Sequence, residues 1–256
     1  MRDDIPLLLP VPDTMPMPFP FGPPPQPVTR VWFEDRALEK ICFVVGVDLG
    51  QARDFSTIVI SEVNFAPRVH FAKDAPGEVR REQIIHHRLR HVERIPLGTS
   101  YPAICDRVAQ VMVTMPAMPR PPVLVADATG CGRPVMDMMR KMDLEPLATT
   151  ITAGSGETIE KNDVRVAKKI LASTVAVALD TGRLQIVAVG PDVETLRNEL
   201  RAFRVKISGT QNESFESWRE ADHDDLVLAA ALAVWTGERL RERFRVNPAW
   251  RVVGRG

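Results

Sequence analysis

Membrane-length apolar runs, paired cysteines and a net charge are all missing from this 256-residue chain. No apolar stretch approaches the ~18–20 residues that a helical bilayer span needs. The opening MRDDIPLLLPVP places acids where a signal peptide carries positive charge, and prolines cut its short apolar run. Cys42, Cys105 and Cys131 are odd in number and form no CxxC pair. That argues against a disulfide scaffold or a Cys-rich zinc site and for a reducing compartment. Thirty-three basic residues balance thirty-three acidic ones, so neither a histone-like binder nor an acidic solvating tail is expected. Neutrality does not exclude nucleic acid, because a local basic patch does the work of a global charge. Aromatics make up 6% of a chain that is 45% hydrophobic, so its core must be aliphatic. These absences predict a cytoplasmic protein with no membrane partner.

What is present is unevenly spread. Residues Ile5 to Pro27 hold ten of the twenty-two prolines, including Pro23-Pro24-Pro25. Proline fixes φ and removes a backbone donor, so residues 1–40 read as an extended or disordered segment. It is a tether, or a ligand for a proline-binding partner. From Ile41 the pattern changes. ICFVVGVDLG is a continuous apolar run ending in an acid, the pattern of a buried central strand. STIVISEV, residues 56–63, predicts an antiparallel partner, and Gln83 to Ile95 alternates like a third strand. A helix is expected over Tyr101–Met115, closed by Pro116. VLVADATG, residues 123–130, is a second buried strand, followed by a helix over Pro134–Met142 and a strand over Leu144–Thr152. Helices are predicted over Lys161–Leu179, Val193–Phe203 and 223–244, with an edge strand at Leu184–Val189. The last helix is apolar on nearly every face through Trp235 and should be buried there. This order predicts an α/β domain over residues 41–245 with a mixed sheet, and a tail over 246–256.

Three acids stand out by position. Asp48 ends the first core strand, Asp127 ends the second, and Asp224 and Asp225 open the buried last helix. An unpaired buried carboxylate is costly, so apolar elements that end in Asp usually aim it at a cation or a donor. Neighbouring strands would put Asp48 and Asp127 on one edge of the sheet, with the last helix bringing a third acid. Such a cluster suits one or two Mg²⁺ or Mn²⁺ ions. Two ions ~3.5–4 Å apart stabilise the attacking and leaving oxygens of phosphodiester cleavage. Each acid also has a plain structural reading: Asp48 as a turn former, Asp127 as a cap for the following helix, Asp224 or Asp225 as an N-cap.

GVDLGQARDFSTIVI, VLVADATGCGRPVMDMM and HDDLVLAAALAVW, in this order, resemble the nuclease domain of phage large terminases, within the ribonuclease H-like superfamily. The resemblance spans about residues 41–240 and is most specific at the His-Asp-Asp that opens an Ala-rich helix. It implies a ribonuclease H-like mixed central sheet flanked by helices, and two-metal endonucleolytic cleavage of double-stranded DNA. By position, Asp48, Asp127 and Asp225 become the catalytic, metal-holding acids. Asp224 and, more weakly, Asp54 are further candidate ligands, and His223 would lie beside the ions. The resemblance also puts a lysine at about Lys161, near the scissile phosphate. Lys161, Arg165 and Lys168 form a candidate DNA-binding group. Arg80, Arg81, Arg88, Arg90 and Arg94 form a second basic group, and Arg239, Arg241, Arg243 and Arg245 a third. All three groups also read as solvated surface.

One departure stands out. Large terminases carry an ATPase ahead of the nuclease, but this sequence has no GxxxxGK[ST]. A stand-alone nuclease, a prophage remnant or a subunit of a larger motor is therefore expected. A motor subunit would act with a separate packaging ATPase, small terminase or portal protein in a bacterial host. Three other readings stay open. An Asp-x-Gly strand end also begins the phosphate site of sugar kinases, actin and heat-shock-type ATPases, which need a longer chain. A Holliday-junction resolvase would use the same acids. A non-catalytic assembly module could keep the fold.

Overall fold

The computed structural model describes residues 39–50, 54–71, 79–130, 132–209 and 225–246. The Pro-rich segment through residue 38, His223, Asp224 and the tail from residue 247 lie outside the described residues.

The strand β1 (Glu39–Asp48) is buried throughout from Ile41, as its unbroken apolar run requires. It pairs antiparallel with β2 (Ser56–Phe71), which pairs antiparallel with β3 (Val79–Ile95). The helix α1 (Tyr101–Thr114) then leads to β4 (Val123–Asp127), which lies parallel to β1 on its other side. The chain continues through α2 (Gly132–Lys141) to β5 (Leu147–Thr152), then the hairpin β6 (Glu157–Glu160) and β7 (Asp163–Ala167). α3 (Lys168–Asp180), β8 (Leu184–Ile186), α4 (Pro191–Gly209) and α5 (Asp225–Val246) complete it. The eight strands lie in the order β6-β7-β5-β4-β1-β2-β3-β8. Three antiparallel strands followed by parallel ones, with helices on both faces, match the ribonuclease H-like architecture expected from the sequence.

Period-two alternation sends successive side chains of β1 to opposite faces. Cys42 and Val44 join the core under α3, α4 and α5, while Phe43, Val45 and Val47 join the core under α1 and α2. Gly46 belongs to the α5 face. A Cβ there would lie 2.1 Å from the carbonyl oxygen of Ala229 and 3.0 Å from the nitrogen of Ala233. The run Ala229-Ala230-Ala231 and Ala233 is thus small for a reason: α5 lies almost on the sheet backbone, with no room for larger side chains. Only glycine fits beneath it.

One segment departs from the sequence expectation. The helix predicted over Lys161–Leu179 begins only at Lys168, and Asp163–Ala167 is the strand β7. Val164, Ala167, Ile170 and Leu171 are spaced for a helix, yet Val164 and Val166 also alternate with exposed Asp163 and Arg165. The two periods coincide over this stretch, and pairing with β5 decides for the strand. The partner β6 is exposed throughout, and its single apolar residue, Ile159, offers no alternation to read.

Candidate functional site

The register of the sheet fixes where the acids fall. Val47 of β1 lies beside Ala126 of β4 in a parallel pair, so the next residues, Asp48 and Asp127, are level with each other. Adjacent strands run ~4.8 Å apart. Val44 and Val123, Val125 pack on the α5 side, and alternation puts Asp48 and Asp127 on that same face. Both are largely buried, at 8% and 5% exposure.

The row continues in both directions. Asp127 pairs with Thr149 of β5, Asp48 with Thr57 of β2, and Thr57 with Arg94 of β3. Thr149, Asp127, Asp48, Thr57 and Arg94 therefore form one polar line across an otherwise aliphatic face. The first turn of α5 meets this line. The Thr57 hydroxyl donates to the backbone carbonyl of Asp225 at 2.9 Å. Asp225 is half-buried at that helix start, one strand away from Asp48.

Two further contacts hold the same turn. Glu199 of α4 accepts from the Val227 amide at 3.2 Å through Oε2, while its Oε1 pairs with the Arg94 guanidinium. Arg94 also stacks on Phe55, with its Cζ 5.0 Å from the ring centroid, and its amide donates to Asp192 at 3.0 Å. Burial pushes the Glu199 carboxyl up to about 7, against the Arg94 charge and the Val227 amide, and the nearby Asp225 charge adds to the rise.

Asp127 has a local role as well. Its Oδ1 accepts from the Thr129 amide at 2.8 Å, and the Thr129 hydroxyl accepts from the Ile151 amide at 2.8 Å. These two bonds lock the end of β4 to the end of β5 and orient the carboxylate. Asp54 is exposed at the start of β2, on the same end of the sheet as Asp48. Its carbonyl lies so close to Gly50 that an added Cβ there would be 2.2 Å away.

The candidate DNA-binding residues separate. Val164 of β7 is level with Thr149, hence with the acid row. Lys161 precedes it by three residues, in the turn between β6 and β7, with φ of 55°. That is roughly 10 Å from the row, toward the starts of the parallel strands. Asn162 beside it donates to Glu145, ahead of β5, at 3.2 Å. Lys168 lies on the other side of the row, where β7 gives way to α3. α3 packs on the α5 face, so Lys168 and the acids share both an end and a face of the sheet. Arg165 is exposed in β7. Several other basic residues are committed internally. Arg88 and Arg90 pair with buried Glu62, Arg94 with Glu199, and Arg239 with Glu157.

Asp48, Asp127 and Asp225 offer carboxylate oxygens alone, a hard donor set that fits Mg²⁺ or Mn²⁺ and not a soft metal. Among the described residues, no three His, Cys, Asp or Glu side chains close into a metal-ligand group. The geometry thus supplies an adjacent pair, Asp48 and Asp127, with Asp225 brought to the row by α5. Thr57, Arg94 and Glu199 were not singled out for this site from the sequence. Only register, which pairs Arg94 with Thr57 and Thr57 with Asp48, reveals them.

The chain matches no family model and no curated protein. Two solved structures are similar to it. One is the large terminase nuclease from thermophilic phage G20c, at 17% identity over 78% of this chain and 89% of that one, with a TM-score of 0.46. The other is the human cytomegalovirus terminase nuclease domain, at 10% identity over 77% of this chain and 83% of that one, with a TM-score of 0.44.

Proposed function

We propose that this chain is a metal-dependent DNA endonuclease of the terminase nuclease type. The observation that carries the reading is the level placement of Asp48 and Asp127 on the face where α5 delivers Asp225. Asp48 and Asp127 are the principal holders of the ions, and Asp225 is the third acid. A Mg²⁺ site commonly uses one or two carboxylates and completes its shell with water and substrate phosphate, which an adjacent pair suits. Two Mg²⁺ or Mn²⁺ ions, when bound, supply an activated water and charge stabilisation for the leaving oxygen.

The protein's own part is to hold carboxylates in place and to receive the phosphate backbone. The Asp127–Thr129–Ile151 bonds fix one carboxylate, and the Thr57 hydroxyl fixes the turn that carries Asp225. Lys168 and exposed Arg165 are the basic residues offered to double-stranded DNA, Lys168 from the rim of the acid row. Lys161 serves DNA held further along the sheet. His223, Asp224 and Asp54 are additional candidates around the ions. A packaging ATPase, small terminase or portal protein is the natural partner of such a nuclease.

A second reading, a non-catalytic assembly module on the same fold, has one observation in its favour: the ligands form no closed set among the described residues. One assay separates the two. Supercoiled plasmid is incubated with the protein and Mn²⁺, Mg²⁺ or EDTA, beside Asp127→Ala. The nuclease predicts metal-dependent nicking that vanishes in the variant. A folded wild-type protein that cuts with neither metal would count against a stand-alone enzyme and point to a separate ATPase subunit or to the assembly module.

A further inference from the structure

We propose that Glu199 is a positioning residue for the metal centre, acting through the first turn of α5. The inference rests on the nuclease reading above and extends it to a residue outside the acid set.

Glu199 stands on α4, away from the strands that carry Asp48 and Asp127, and no motif in the sequence points to it. Its exposure is 9%, and both of its oxygens are used. Oε2 receives the Val227 amide, two residues beyond Asp225, and Oε1 receives Arg94. The Val227 amide is one of the donors at a helix start that have no partner within the helix. A carboxylate placed there also complements the positive end of the helix dipole. A surface side chain could cap it equally well. Here the cap is a buried acid drawn from another helix, and its second oxygen ties it to the sheet. Arg94 lies directly across from Thr57, and Thr57 directly across from Asp48.

The turn that bears Asp225 is therefore gripped from both sides. The Thr57 hydroxyl takes the Asp225 carbonyl, and Glu199 takes the Val227 amide. Both grips lead back to the polar row that contains Asp48. A small rotation or slide of α5 would move the Asp225 carboxylate relative to the two sheet acids, and these contacts oppose it. Gly46 beneath Ala229 fixes how near the helix lies, while Glu199 and Thr57 fix its direction and register at the end that matters.

The test compares wild type, Glu199→Gln and Glu199→Ala. Mn²⁺ affinity is measured by calorimetry, plasmid nicking is resolved into kcat and KM, and thermal melts confirm that each variant is folded at the assay temperature. Gln keeps an oxygen for the Val227 amide but loses the charge facing Arg94; Ala loses both. Positioning predicts that Ala weakens Mn²⁺ binding and lowers kcat by about tenfold or more, the usual effect of losing an outer-shell partner, with KM for DNA unchanged. Gln should fall between Ala and wild type. Wild-type Mn²⁺ affinity and kcat in folded Gln and Ala variants, with only the melting temperature lowered, would overturn the inference and leave the nuclease reading standing. A wild-type protein that neither binds Mn²⁺ nor nicks DNA overturns both.

Discussion

Thr57 and Asp225 are 168 residues apart in the chain, yet the Thr57 hydroxyl donates to the Asp225 carbonyl at 2.9 Å. The bond joins the second strand to the start of the last helix, at the point where Thr57 sits opposite Asp48. Thr57→Val keeps the volume and removes the donor. It should cost about 1 kcal/mol of stability, the net worth of one hydrogen bond. Because the freed turn carries Asp225, nicking should fall by roughly tenfold as well. Urea unfolding and a nicking time course check the two halves. A stability loss with undiminished cleavage would mean that the bond serves the fold alone.

Gly46 sets the depth of α5 on the sheet. An added Cβ falls 2.1 Å from the Ala229 oxygen, far inside van der Waals contact, and the obstacle is backbone that cannot swing aside. Gly46→Ala should destabilise by about 1–3 kcal/mol, the range for overpacking a close-packed core. The midpoint of urea unfolding would drop with an unchanged slope. A neutral result would show that the helix has freedom to lift.

His87 predicts a pH dependence of stability. Its ring is fully buried between the Ser61 hydroxyl at 3.2 Å and Glu238 Oε1 at 3.3 Å. Burial lowers its pKa, and the Arg183 charge lowers it further, against the pull of Glu238. Burial acts to raise Glu238, but the His87 hydrogen bond and Arg183 hold it below the ordinary range. Among the described residues, Arg183 and Glu238 are the charged groups that act on this ring, and His86 is the neighbouring imidazole. With the folded pKa depressed, the unfolded chain takes up the proton first as pH falls. The contribution of His87 is thus present in full above about 6.5 and declines as pH drops below it toward the folded pKa. His87→Gln should flatten the fall in melting temperature between pH 7 and pH 5. Parallel curves for variant and wild type would contradict the assignment.

Lys168 and Lys161 should behave differently on DNA. Lys168 shares the rim and face of the acid row, while Lys161 turns between β6 and β7 at the other side of that row. Lys168→Ala should weaken DNA binding and reduce the slope of log affinity against log salt by about one. Lys161→Ala should leave nicking of a short duplex near wild type. Fluorescence anisotropy at several salt concentrations gives both slopes, and a reversed order would relocate the DNA path.

The buried strands were legible because their apolar runs end in acids, and the last helix because its long apolar run opens on a pair of them. Asp48 and Asp127 could be placed on one edge of the sheet if their strands were neighbours, and the β1–β4 pairing supplies that adjacency and its register. Two things were hidden. The β6–β7 hairpin has an outer strand of four exposed residues, and the spacing of Val164, Ala167 and Ile170 serves a helix as well as a strand. Thr57, Arg94 and Glu199 carry no motif, because what joins them is strand register and the seating of α4, which only the folded chain supplies. The group of arginines in β3 read as a DNA surface or as plain solvated surface, yet Arg88, Arg90 and Arg94 are matched to the acids Glu62 and Glu199.

Asp48 and Asp127 lie level on adjacent strands, and the proposed nuclease requires them to hold divalent ions. Calorimetric titration of Mn²⁺ into the wild-type protein, Asp48→Asn and Asp127→Asn tests it most directly. Saturable binding to the wild type is expected, lost or weakened by about tenfold or more in either variant, each still folded by circular dichroism. Equal binding by all three proteins, or none by the wild type, would contradict it.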